Sequence, residues 1–402
     1  MQIRAVTVFS RPEDLEAAAK VAATVRLALE AAGETVQTTR WALPPFPLLA
    51  ADESEAVALA RRVGAAAQTH GLDYVSLGPA LPARPETYRW VPAMLAEAPT
   101  VFCGGVMADD EDGMTPGAVR ACAAVVAELA PLEPNGFANL RFAALASVPA
   151  GAPFFPAAYA PPLLPRGQVL VALALEAADL AVDAFAEATD ALTARAALVE
   201  RLETRGRRLA NLTARSAAAH GAHFLGLDFS LAPFPDEAVS IGAALERLGV
   251  PALGAQGSLA AAAFLADALD RAAFPRTGFN GLMLPVLEDA VLAARAAEGL
   301  LTVKDLLAYS AVCGTGLDTV PLPGDTTPAQ LAAVLWDVAA LSRRLRKPLT
   351  ARLMPVPGKQ AGDPLTFDFP YFANGRVMAL QAAPLGGVWQ GNAFDLRPRS
   401  LV

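Results

Sequence analysis

The sequence predicts an α/β protein with mostly parallel strands, assembled from two related halves. Three observations predict it. Short runs rich in β-branched and aromatic residues alternate with longer Ala/Leu/Glu-rich stretches of helical period, the pattern of repeated strand–helix units. A Cys-Gly start, an acidic loop and a Thr-Pro helix opening are written twice, as CGGVMADDEDGMTP from Cys103 and as CGTGLDTVPLPGDTTP from Cys313. With 54% of its 402 residues hydrophobic and 18% charged, the chain has the apolar content to bury a large core.

The elements follow in order. IRAVTVF is the first strand, and RPEDLEAAAKVAATVRLALEAAG is the first helix, with Ser10 as its cap, acidic residues in its first turn and Gly33 at its end. DYVSLG and PTVFCGG read as further buried strands running into glycine turns. From Phe142 to Pro165 the chain is uncharged and long enough to span a bilayer, but six prolines between Pro149 and Pro165 remove the helix that spanning requires. A buried or surface-hugging loop is predicted there. After it, GQVLVALALEAADLAV opens a strand followed by one long helix or two consecutive ones. Arg195, Arg201, Arg205, Arg207, Arg208 and Arg215 interleave with Glu200 and Glu203 at helical spacings, which predicts a solvated, partly ion-paired face.

Four anchors extend the doublet beyond the cysteines: Ser10 with Ser230, Cys103 with Cys313, Thr115 with Thr327, and Val148 with Val356. They recur in the same order, 208 to 220 residues apart. The expected organisation is one domain over 1–402, with a first repeat at 1–165, a linking strand and helices at 166–220, and a second repeat at 221–402.

A net charge of −8 without clustered Lys or Arg argues against nucleic acid and anionic membrane surfaces as partners. Cys103, Cys122 and Cys313 are too few for a disulfide framework and lack zinc spacing, so the reducing cytoplasm is the expected compartment. The N-terminal stretch reaches Pro12 and acidic residues before any signal-type apolar run develops. A homo-oligomer is compatible with the sequence, and the identity of any cofactor or metal stays open.

From Phe224 onward, GLDFSLAPFP, LGVPALGAQGS, LLAYSAVCGTGLDTVPLPGDT and LTARLMPVPGKQAGD resemble the uncharacterised DUF711 or UPF0210 family. The resemblance implies a fold like that of pyruvate formate-lyase, a ten-stranded barrel of two five-stranded parallel halves set antiparallel. It does not carry that enzyme's chemistry. The glycyl-radical loop would need Arg-Val-x-Gly-aromatic, and the nearest text, RVMAL, places Ala379 and Leu380 at the diagnostic positions. The chain also departs from the family pattern. Gln256 stands where relatives carry histidine, with Ser258 and Leu259 in place of two hydroxyl residues, and Ala152 replaces the asparagine of an Asn-Pro-Phe element. Losing that histidine removes a versatile acid–base group.

The candidate site is built from loops expected to meet at one barrel mouth. Asp228, inside or just past a hydrophobic strand, has three readings: cation ligand, catalytic base, or anchor of the following turn. Asp318, Asp325 and Asp363 come from neighbouring loops, each open to turn duty as well. Cys313 beside Gly314 sits at a predicted strand end, as a nucleophile or as a packed thiol. Gly358, Lys359 and Gly362 in PVPGKQAGD suit a small anion nest, with Arg352 as a further anion partner, or simply a shaped loop. Ser230 and Gln256 complete the set. ADDEDGM is not a calcium loop, because aligning Gly113 places Ala108 and Val119 at ligand positions; it reads as an acidic turn. Two functions follow as expectations. One is an enzyme on a small polar or anionic metabolite, acting by acid–base or metal-assisted chemistry with Asp228, Cys313 and Asp318 as catalytic candidates and Lys359 stabilising charge. The other is a binding or regulatory protein that has lost the histidine.

Overall fold

The computed structural model describes residues 1–402 except 111–112, 313–314, 392–395 and 400–402. Ten strands join one sheet: β1 (Gln2–Phe9), β2 (Val36–Ala42), β3 (Tyr74–Ala80), β4 (Val101–Asp109), β5 (Gly113–Met114), β6 (Phe142–Ala146), β7 (Leu170–Glu176), β8 (His223–Ala232), β9 (Gly316–Pro323) and β10 (Leu349–Val356). Their order is β8-β7-β1-β2-β3-β4-β6-β10-β9, with the short β5 folded back on β4. Strands β1, β2, β3, β4 and β6 run parallel to one another, as do β7 with β8 and β9 with β10. The two flanking pairs join the central five antiparallel, through β7 on β1 and β10 on β6.

The helices are α1 (Leu15–Ala31), α2 (Glu53–Thr69), α3 (Val91–Glu97), α4 (Pro116–Leu129), α5 (Ala178–Ala186), α6 (Ala191–Ala218), α7 (Ile241–Arg247), α8 (Ser258–Arg271), α9 (Ala290–Ala297), α10 (Val303–Ser310) and α11 (Pro328–Leu345). The unit β4–α4–β6 has a counterpart in β9–α11–β10, each helix opening with Pro after Thr115 or Thr327, and α4 packs on α11. After the strand β7, the linking region forms two consecutive helices, α5 and α6. The arginines of α6 are ion-paired as expected of a solvated face: Arg207 with Glu203, Arg201 with Glu187, and Arg205 and Arg208 with Glu34.

The closed barrel of ten regular strands is not formed, which corrects the expectation. The edges β8 and β9 do not pair with each other. Residues 275–288 lie between them, touching β8 through a parallel bridge at Leu227–Arg276 and β9 through one at Pro285–Asp318. The segment has a physical reason to stay irregular. Pro275 and Pro285 lack the amide hydrogen that a strand ladder needs, and Gly278 holds a φ of 78°.

Alternation along each strand separates two faces. Val6, Val8, Trp41, Val75, Val101, Leu173, Leu175 and Leu349 join the large core shared with the helices. The other face carries small and polar residues instead, among them Thr7, Ala42, Ser76, Ala143, Ala172 and Ala174, all buried. The proline-rich segment covers that face. Phe154, Phe155, Ala157, Ala158 and Leu164 pack on it, while the Thr7 and Ser76 hydroxyls donate to the carbonyls of Pro153 (2.8 Å) and Ala158 (2.6 Å). The expected loop at 142–165 is therefore corrected at its start: 142–146 is strand β6, and only the remainder is irregular and inserted against the sheet. Ser10 does not cap the first helix either. Its hydroxyl accepts from Trp41 Nε1 at 2.8 Å, and a 3-10 turn at Pro12–Asp14 leads into α1.

Candidate functional site

The inner face of the curved sheet and residues 275–288 enclose a cavity of about 320 Å³. Alternation supplies its polar lining. Arg4 comes from β1, Thr38 and Arg40 from β2, Tyr74 from β3, Phe102 from β4, Asp318 from β9 and Arg352 from β10, joined by Glu288 from the segment between the edges. Arg4, Arg40, Asp318 and Arg352 each interrupt a mostly buried strand, at positions where the side chain points away from the helices.

One buried network crosses the cavity wall. Arg352 donates from Nε to Asp318 at 2.5 Å and from Nη2 to Glu288 at 2.7 Å. Arg4 donates from Nη2 to the other Glu288 oxygen at 2.7 Å and from Nη1 to Glu176 at 3.1 Å, and its guanidinium lies 5.1 Å from the Tyr371 ring centre. Glu288 thus ties the third strand of the sheet to the eighth, so the sheet must curl far enough to bring them together. Burial opposes the Arg352 charge, but Asp318 and Glu288 overcome it and hold its proton more tightly than usual. Burial raises the proton affinity of Asp318, with Arg352 acting against that rise and Glu288 adding to it. Glu176 is raised for the same first reason, opposed by Arg4.

Arg40 differs from its neighbours. It is 9% exposed, its Nε donates to Thr38 Oγ1 at 2.9 Å, and among the described residues no carboxylate reaches it at ion-pair distance. Its guanidinium rests over the Tyr74 and Phe155 rings, 5.9 and 5.3 Å from their centres. Burial, then the charge of Arg4, pushes its pKa down to about 9, which leaves it cationic at neutral pH. Arg141, at the same cavity, donates to the carbonyls of Leu95 and Ala98 and to Glu133.

Of the residues expected at the site, Asp318 and Arg352 meet here as an ion pair. Asp228 does not line the cavity. It is wholly buried in β8, where Oδ1 accepts from Ser230 N (3.1 Å), Ser230 Oγ (2.5 Å) and Asn280 N (3.0 Å), and Oδ2 accepts from Phe279 N (2.7 Å). Burial raises its pKa to about 6 against those bonds. Gly278 lets the chain pass so close that a Cβ there would lie 2.2 Å from Oδ2. The anchoring reading of Asp228 matches this geometry, and Ser230 is spent as its partner.

The remaining expected residues that the structure describes stand apart from the cavity. Gln256 is exposed in the turn before α8. Lys359 Nζ donates to the Pro364 carbonyl, and Asp363 accepts from Gln360 N. The amides of Lys359 and Gly362 bond to the carbonyls of Val356 and Val377, so they do not form an open anion nest. Asp325 accepts from the Gln360 side chain. Cys313 and Gly314 lie outside the described residues. Cys103 and Cys122 are buried thiols whose pKa burial pushes well up, consistent with packing. Among the described residues, no three His, Cys, Asp or Glu side chains cluster as metal ligands, and no helix is long and apolar enough to cross a membrane.

Sequence reasoning passed over Arg4, Arg40, Glu176 and Glu288. A signal was present: three of these charges interrupt or end strand runs, QIRAVTVF, VQTTRWA and LVALALE, where an ionised group is costly unless something holds it.

Comparison with known proteins yields names without an activity. The family model described as "Uncharacterised ACR (DUF711)" matches residues 4–369. A UPF0210 protein of Pyrobaculum arsenaticum is 39% identical over 256 residues, covering 62% of this chain and 56% of that protein. One of Pyrobaculum islandicum is 33% identical over 355 residues, 82% of this chain and 76% of its own length. Another, of Syntrophobacter fumaroxidans, is 31% identical over 353 residues, 83% and 77% of the two lengths. The match therefore spans just over half of the P. arsenaticum protein.

Proposed function

This chain belongs to the DUF711 family of uncharacterised proteins, and from its cavity we propose that it is a cytoplasmic protein binding a small organic anion, with Arg40 as the anchor. One observation carries the reading. A nearly buried guanidinium without a carboxylate is costly, whereas every other arginine of the cavity is paired. A bound anion would supply the missing charge-assisted bonds in a site of low dielectric. Three non-glycine residues with positive φ adjoin the lining: Leu231 (47°) beside Ala232, Asn280 (47°) beside Phe279, and Thr319 (41°) beside Asp318. Strain of this kind gathers at ligand sites.

Native mass spectrometry and calorimetry of the purified chain test the reading. A co-purifying or added organic anion should bind the wild type and bind Arg40→Met about thirtyfold more weakly. Equal binding by both would remove the proposal.

A catalytic version rests on Asp318. It faces the same cavity, and burial favours its protonated form, so it could exchange a proton with a bound ligand. In that version Asp318→Asn keeps ligand binding and abolishes turnover. The fold reading extends likewise: residues 275–288 serve as the irregular member that makes five with β8, β9, β10 and the linking region's β7, and 1–165 and 221–402 descend from one duplicated half-barrel.

A further inference from the structure

We propose that the ligand is a planar aryl monocarboxylate, an inference that rests on Arg40 being the anion anchor. The donor geometry selects the head group. Thr38 occupies Arg40 Nε, so the two terminal nitrogens remain as a single two-pronged donor, while Arg4, Arg352 and Arg141 are held by carboxylates. A two-pronged donor matches the two oxygens of a carboxylate in the bidentate arrangement. A phosphate dianion would want further free cations, and among the described residues the other arginines of the cavity are already held by carboxylates.

Charge points the same way. Four guanidiniums around the cavity, of Arg4, Arg40, Arg141 and Arg352, are matched in number by the carboxylates of Glu133, Glu176, Glu288 and Asp318, all of which pair with arginines other than Arg40. A monocarboxylate adds one negative charge to this balance. A dianion adds two, next to Glu288 and Asp318, where repulsion is weakly screened.

The walls select the body. Two chains of rings face the space. Tyr74, Phe102 and Phe155 meet edge to face at 5.4 Å spacings, and Phe137, Phe369 and Tyr371 follow at 5.1 and 5.2 Å. A flat π-system between them gains offset or edge contacts that a saturated ring of equal area does not. At about 320 Å³ the space suits a ligand of one or two rings.

Calorimetry on the full chain decides it, using benzoate, phenylacetate, cyclohexanecarboxylate and inorganic phosphate as probes against wild type, Arg40→Met and Phe102→Leu. The aryl acids should bind about tenfold more tightly than the saturated acid and than phosphate. Phe102→Leu should narrow the aryl preference without abolishing anion binding, and it keeps the test open should Arg40→Met fail to fold. Phosphate binding in place of the aryl acids, dependent on Arg40, would overturn the ligand class and leave the anion site standing. Equal affinity for benzoate and cyclohexanecarboxylate would overturn the planar preference alone. Binding indifferent to Arg40, or no binding by any probe, would overturn both.

Discussion

Two buried charges a few strands apart have opposite surroundings. Asp228 has three backbone amides and a hydroxyl donating to it, and Gly278 exists where it does so that the chain can wrap around the carboxylate. Arg40 has one hydroxyl and two aromatic faces. The first is satisfied by the fold itself and holds an irregular segment to the edge of a sheet. The second has no carboxylate within ion-pair distance among the described residues, and on the proposed reading a bound anion supplies one. Burial alone does not mark a functional charge; the accounting of its partners does.

The contrast can be broken from either end. The largest effect is expected at Asp228→Ala, which orphans the amides of Ser230, Phe279 and Asn280 together and should lower stability by at least about 3 kcal/mol in urea titrations. Stability within about 1 kcal/mol of wild type would mean that the turn does not depend on this carboxylate. Next comes pH. Because burial raises the Asp228 carboxyl from 3.8 to about 6, the folded chain binds a proton that the unfolded chain releases in that window. Its stabilising share is full below about pH 4 and lost as pH rises through about 6, roughly 3 kcal/mol across the window. Subtracting the pH profile of Asp228→Asn from that of the wild type should expose this slope, and a flat difference would deny it. The smallest effect belongs to Arg40→Met, which keeps the apolar stem and removes the unpaired charge. Its stability should rise by about 1–2 kcal/mol in ligand-free buffer while ligand affinity falls. A loss of stability there would show that the protein itself completes Arg40, and the comparison would collapse.

Much of the architecture is legible in the sequence. The strands at IRAVTVF, DYVSLG and PTVFCGG, helix after β7 (one or two segments) and the proline-bound segment all follow from local signals of period, propensity and punctuation. Local signals misled where a neighbour in space decided. Ser10 looked like a cap, but Trp41 from the next strand takes its hydroxyl. PVPGKQAGD looked like an anion nest, yet its amides turn to carbonyls as distant as Val377. The candidate site was half legible. Asp318 and Arg352 were picked from separate stretches, while Arg4, Arg40 and Glu288 were passed over because each reads as an ordinary surface charge until its strand is seen to be buried.

The sequence by itself determined the order of elements and which runs form strands or helices, since each depends on neighbours along the chain. Only the tertiary structure decided which charges meet. Arg4 and Arg352 lie 348 positions apart, and nothing in their local sequence couples them. They share Glu288 because the sheet curls, and curling is a property of all its strands at once.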